Sequence, residues 1–249
     1  MIRGALLPLA GAIAWEWGSR AGRLPNDTFS RPSSIGLAFA HGIGDGSILA
    51  ATVQTLETAA SAWCIASLAG IAAGAAIGTM PWLSRLVGVA VELLRPIPSV
   101  ALIPLALVLF GFGFRLESWV IGFAVVWPVL LLTASGVRSI DSRSIEIARA
   151  LGFNALDRMR KFVLPAALPS IAVALRIAAG FALVVAVTVE IAVNPRGLGF
   201  GMITAQQQFH SDIMYAELLW LGAIGAGINA GLLAVERRLL AWSYVGRDR

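Results

Sequence analysis

Thr58 to Ser84, Pro96 to Phe114, Ser118 to Val137 and Leu218 to Val235 contain no charged side chain. Each approaches or exceeds the roughly 18–20 apolar residues a helix needs to cross a hydrocarbon layer. Phe162 to Val193 is as long but carries Arg176 and Glu190, and the opening run, Gly4 to Trp15, is short unless it extends past Glu16. Six spans follow, in an all-α membrane protein. The composition agrees: 58% of the 249 residues are hydrophobic, 13% are charged, and mean hydropathy is +0.81, outside the range of soluble domains.

The opening run has two readings. It is a first span, or it is a secretory signal in which Arg3 precedes a short apolar core and Ala12-Ile13-Ala14 forms the cleavage site. Either way the segment from Ala21 to Leu56 lies outside, as a loop with a short interfacial helix, because Asn26, Asp27, Arg31, Pro32 and Asp45 are too polar to span. Lys and Arg then divide twelve to five in favour of the inner segments, which places both termini in the cytoplasm.

Basic residues exceed acidic ones, 19 to 14, but the excess follows membrane topology and lacks the clustered charge and stacking aromatics of a nucleic-acid binder. A single cysteine excludes an intrachain disulfide. His41 and His210 have no ligand partner at metal spacing, so no metal site is expected. Gly197-Leu198-Gly199-Phe200-Gly201 has no following Lys-Ser/Thr and is not a phosphate loop. Trp15, Trp17, Trp82, Trp119, Trp220 and Trp242 fall near span ends, as an aromatic belt. Glu117, Asp212 and Glu217 fall in external turns or at their ends, where solvated loop charges are expected, with contact to a docking protein as the alternative.

Between the fourth and fifth spans lies a charged stretch that cannot enter lipid, with Glu146, Arg149, Asp157, Arg158, Arg160 and Lys161. Ile145, Ala148, Leu151, Ala155 and Met159 recur every three or four residues, one stripe on a helix. Gly152 interrupts it, and Asn154 with Asp157 has the form of an N-cap and its partner. Two short helices joined at a glycine are predicted. On pattern alone, a solvated surface helix fits as well as a docking element.

The spacing Glu146-Ile147-Ala148, Gly152, Phe162-Val163-Leu164-Pro165 resembles the cytoplasmic signature of ABC importer permease subunits: E-A-A, three residues, G, nine residues, I-x-L-P. Ile147 and Phe162 depart from it, both staying apolar. Glu92 to Pro98, Ala101 to Leu105, Phe110 to Gly113, Leu175-Arg176-Ile177, Val189-Glu190-Ile191 and Arg196 to Gly199 extend the likeness over roughly Thr58 to Arg238, and are similar to the nitrate/sulfonate/taurine/bicarbonate branch. The resemblance implies a type I importer transmembrane domain over 1–249. Its parts would be a first span at about 1–20, the external segment 21–56, a five-span core over 57–240 and a coupling loop at 140–162. It also implies a second copy of the chain, two cytoplasmic ATPase subunits that bind ATP and Mg, a periplasmic solute-binding protein, and no cofactor or catalytic residue on this chain. ATPase coupling falls by resemblance to Glu146, Ile147, Ala148, Arg149, Gly152, Asp157, Leu164 and Pro165.

For the translocation pathway the residues themselves point to Arg95, Pro96, Pro98, Arg176 and Glu190. The two prolines remove backbone donors and bend a span, which survives where the bend lines a wet cavity or is a packing kink. Arg176 and Glu190 are charges in an apolar run, about 21 Å apart along one helix, so each needs another partner. Arg176 can snorkel toward the cytoplasm, and Glu190 can face Arg196. Arg95, then Arg176, suits a small anionic substrate. A self-sufficient secondary transporter or channel is the alternative and would need inverted repeats. A membrane enzyme would need clustered polar groups at membrane depth.

Overall fold

A computed structural model describes residues 2–21 and 29–240, without the side chains of 2–9, 142, 144 and 149. The expectations that rest on the side chains of Arg3, Asn26, Asp27, Arg149 and Trp242 lie outside the described residues. The chain order is α1 (Ile2–Arg20), α2 (Pro32–Gly44), α3 (Ser47–Thr79), α4 (Pro81–Leu94), a 3₁₀ turn (Ser99–Leu102), α5 (Ile103–Phe110), α6 (Phe114–Arg138), α7 (Ser142–Ala150), α8 (Ala155–Arg158), a π turn (Met159–Val163), α9 (Leu164–Ala192), α10 (Gly197–Gln207) and α11 (Ser211–Leu239). No strand occurs among the described residues.

Among these residues four helical stretches are long and apolar enough to cross a membrane: Ser47–Thr79, Phe114–Arg138, the continuous Ala155–Ala192, and Ser211–Leu239. A fifth arises if Pro81–Leu94 and Ser99–Phe110, bent by 84°, form one broken span. The expected first span, α1, is not among them; its 19 residues include Arg3, Glu16 and Arg20. Pro96 to Phe114, expected as one span, is instead a 3₁₀ turn and the eight-residue α5, ended at Gly111. Pro96 and Pro98 supply no amide, and eight residues rise only about 12 Å.

The chain falls into two compact units. The first combines Met1–Glu57 with Val187–Gly225. Here the Glu16 carboxylate accepts from Arg20 Nε at 2.6 Å and from the Ser33 amide and hydroxyl at 3.1 and 3.0 Å, tying α1 to the start of α2. Asp45 Oδ1 accepts the Ser47 amide at 2.9 Å and starts α3. That amide, together with the Ser47 hydroxyl, holds the Asp45 carboxyl below the usual carboxylate range. Helix α3 therefore begins within the segment expected to be loop and interfacial helix. Thr52, Gln54, Thr55 and Glu57 hid it, being too polar for a lipid-facing span; the Thr52 hydroxyl returns to Ile48 O at 2.7 Å.

The second unit is Thr58–Ala186 with Ala226–Arg249. Its centre is α6, where Val120, Ile121, Val125 and Val129 are fully buried, as expected of a helix apolar on all sides. Gly70, Gly74 and Gly78 put one bare face of α3 on it: a Cβ at Gly74 would meet Leu130 O at 2.5 Å and Thr133 Cβ at 2.8 Å. Small residues permit this close backbone approach, which packing in lipid rewards. Toward the α7–α8 end, Val137, Val163, Ala167 and Ile171 form a buried cluster flanked by Ile140, Met159 and Leu164.

Candidate functional site

The charged stretch folds as two short helices about Gly152. Helix α7 stops there because Gly152 has φ +76°, which costs a residue with a Cβ about 1–2 kcal/mol. The Phe153 amide then reaches back to Ala148 O at 3.2 Å and the Leu151 amide to Ile147 O at 3.0 Å, satisfying carbonyls that a helix end leaves open. Asn154 Oδ1 accepts the Asp157 amide at 2.7 Å and starts α8. Asp157 itself pairs with Lys161 at 3.4 Å.

The predicted stripe divides. Ala148 is fully buried and Ile145 and Met159 are half-buried, whereas Leu151 is 66% exposed. Ile145, Ala148, Ala155, Met159 and Phe162 line a cavity of about 500 Å³ with Gly78, Met80, Val137 and Arg138. On the outside, Ile147 is 58% and Leu156 59% exposed, beside exposed Glu146. Apolar groups of this size beside a charge, on a turn tied by the Gly152 backbone bonds and the Asn154 cap, present a surface suited to protein contact.

An aromatic lock explains one departure from the family pattern. Phe162 packs edge-on to Phe153 at 5.3 Å, Lys161 Nζ lies 5.1 Å above the Phe153 ring, and Arg158 donates to Phe153 O at 3.0 Å. A π turn over Met159–Val163 brings residues 153 and 162 together. Periodicity of 3.6 residues could not have found that pair. Leu164 packs on the buried cluster and Pro165 is exposed at the start of α9.

Arg95, Pro96 and Pro98 are all exposed at the 84° bend. Arg176 does not stand alone: it pairs with buried Glu236 of α11 at 3.5 Å. Sequence reading missed this partner: Glu236 falls just past the uncharged run that ends at Val235, sixty residues along the chain from Arg176.

Glu190 belongs to the other unit and is 2% exposed. Among the described residues no arginine pairs with it, and Arg196 is exposed. Instead Oε1 accepts from Thr55 Oγ1 at 2.7 Å and Oε2 accepts from the Gly199 amide at 2.8 Å. The Thr55 hydroxyl also accepts the Leu198 amide at 2.9 Å, and Gln54 Oε1 takes the Gly197 amide at 3.1 Å. Three orphan amides at the start of α10 are thus capped by side chains, and a Cβ at Gly197 would collide with the Glu190 carboxylate. The glycine segment is a polar clasp. Thr55 and Gln54 went unnoticed because they fell in the expected loop. Glu117 and Glu217, expected as solvated at or near external turns, are 1% and 7% exposed, in the first turn of α6 and within α11.

Residues 66–240 match the family described as binding-protein-dependent transport system inner membrane component. The bicarbonate transport system permease protein CmpB of Synechococcus elongatus is 34% identical over 95% of this chain and 90% of its own length. The taurine transport system permease protein TauC of Escherichia coli is 33% identical over 71% of this chain and 64% of its own. In fold, the chain is similar to one from the inward-facing MetNI methionine ABC transporter, with TM-score 0.68 and 22% identity over 77% of this chain and 95% of that one. With its apolar helices, this multi-pass membrane protein belongs to the family of binding-protein-dependent transport system inner membrane components, the ABC permeases.

Proposed function

We propose that this chain is the membrane-spanning subunit of an ATP-driven importer, moving a small anion such as nitrate, a sulfonate, taurine or bicarbonate into the cytoplasm. The solute is handed over by a periplasmic binding protein. Two copies of the chain enclose the pathway, both termini are cytoplasmic, and two ATPase subunits that hold ATP and Mg dock on the α7–α8 turn. ATP binding closes the ATPase pair, the turn follows, and the membrane dimer alternates its access. Glu146, Ile147, Ala148, Arg149, Gly152, Asp157, Leu164 and Pro165 carry the coupling.

The observation that carries this reading is the α7–Gly152–α8 turn, whose inner side is locked by Ala148 and the Phe153–Phe162 pair while Ile147, Leu151 and Leu156 face outward. A rigid knob transmits displacement; a loose loop would absorb it. In the pathway Arg95 is favoured over Arg176 as the anion's partner, because Arg176 already faces Glu236 and a guanidinium pairs best with an oxyanion when not already neutralised. Pro96 and Pro98 shape the bend beside it, and Glu190 holds α10.

Reconstitution with the ATPase subunit and binding protein tests the reading. Uptake of labelled anion that requires ATP and all three proteins supports it. Uptake by the chain alone, driven by an ion gradient, would support a secondary transporter instead.

A further inference from the structure

Within the second unit, α4 and α6 enclose a cleft of about 330 Å³, at the lower end of small-molecule sites. Ser84, Gly88 and Glu92 line it from α4, and Ser135 and Arg138 from α6, between apolar walls. Glu92 and Arg138 are the two charged groups of the lining. Arg138 Nη2 donates to Ser84 Oγ at 2.7 Å. Donor and acceptor both belong to the lining, so this bond seats the guanidinium at the wall of the cleft, and a guanidinium has five N–H groups to offer. Gly88 leaves the middle open, since a Cβ there would meet nothing within 4 Å.

Among the described residues neither charge has a counter-ion: Glu92 and Arg138 are exposed and enter no ion pair, and Arg95, one turn beyond Glu92, makes none with it. Helix α4 is also half of the broken span. A carboxylate there is costly against lipid, and a broken helix survives beside a wet cavity, so the cleft is a watered slot with a base at one end and an acid toward the other. Ser84, which holds the guanidinium, and Glu92 stand eight residues apart on α4, about 12 Å of helix rise. Hydrogen bonds of about 3 Å at both ends leave roughly 6 Å for a ligand. A plain anion satisfies Arg138 and is repelled by Glu92, and a plain cation does the reverse. A molecule with an oxyanion and an ammonium two or three carbons apart satisfies both.

We propose that the α4–α6 cleft binds a short zwitterion, with its oxyanion on Arg138, Ser84 and Ser135 and its ammonium on Glu92. That this ligand is the transported solute rests on the import reading above; the binding itself does not. Titration calorimetry of the full chain in lipid nanodiscs, without ATPase or binding protein, tests it with three probes: taurine, ethanesulfonate, which lacks the ammonium, and ethylamine, which lacks the oxyanion. Taurine is expected to bind saturably and about tenfold or more tighter than either, because each of the others forgoes one charged hydrogen bond. Glu92→Gln should bring taurine down to the level of ethanesulfonate, and Arg138→Gln to the level of ethylamine. Gly88→Leu, whose Cβ meets no neighbour, should abolish binding in a chain that still unfolds cooperatively. No saturable binding of taurine, equal affinity for taurine and ethanesulfonate, an advantage for taurine that persists in Glu92→Gln, or parent-like binding in Gly88→Leu would overturn the proposal and leave ATP-driven import standing. Failure of import in the reconstituted system would leave the binding standing.

Discussion

Thr55 and Glu190 lie 135 residues apart in sequence and are joined by a 2.7 Å hydrogen bond in which the threonine hydroxyl donates, while the same hydroxyl accepts the Leu198 amide at 2.9 Å. One side chain thus serves a buried carboxylate and a helix start together. Thr55→Val keeps the shape and removes both bonds, so it should destabilise the chain by roughly 1.5–3 kcal/mol, whereas Thr55→Ser should stay near the parent. Denaturant unfolding in detergent micelles checks this; equal stability of the valine and serine variants would refute the clasp.

Gly152→Leu forces a Cβ onto a backbone at φ +76° although nothing lies within 4 Å to obstruct it. The cost is therefore local, about 1–2 kcal/mol at the turn, and the spans should remain folded in the membrane. Stimulation of the ATPase by the binding protein should fall with transport while basal hydrolysis persists. Unchanged uptake and unchanged stimulation would count against docking at this turn.

Ile147→Ala and Leu151→Ala trim side chains that are 58% and 66% exposed. Such substitutions should leave stability within about 0.5 kcal/mol. Where the residues anchor a partner, each should instead weaken binding of the ATPase subunit by about 1–2 kcal/mol, measured by co-purification and titration. Wild-type affinity in the double variant would move the docking surface elsewhere.

Gly74→Ala places a Cβ 2.5 Å from Leu130 O, a backbone atom that cannot rotate away. Destabilisation of about 1–3 kcal/mol is expected from overpacking. Gly88→Ala, where nothing lies within 4 Å, should be neutral or stabilising by up to about 1 kcal/mol through helix propensity. Thermal unfolding of the pair separates close packing from glycine loss in general.

Arg176→Met should harm stability more than the double variant Arg176→Met with Glu236→Gln, because the single change takes the guanidinium away from a buried carboxylate. A coupling of roughly 0.5–3 kcal/mol in a double-mutant cycle is the expected reading; additive effects would remove the pair.

Local chemistry made the turn about Gly152 legible: a glycine where φ is positive, an asparagine three residues before the amide it caps, and a stripe at helical spacing. The bend was visible in Pro96 and Pro98, but its size was not, since two missing donors say only that the helix fails, not that the next piece departs by 84°. The partners of Arg176 and Glu190 were not legible because they come from distant helices, and a buried carboxylate satisfied by a hydroxyl and an amide leaves no complementary charge in the sequence to search for. Glu217 looked solvated because its carboxylate lies against Gly201 of α10, a residue remote from it in the chain.

The widened turn at Met159–Val163 has a geometric outcome of its own. Each residue of an ordinary helix advances about 100° around the axis, so the one extra residue sets the angular phase between the Gly152 knob and everything downstream in α9. Shortening the chain there by one position would restore an ordinary helix and swing the Gly152 turn to another azimuth, so that Ile147, Leu151 and Leu156 would offer the same side chains in a different direction.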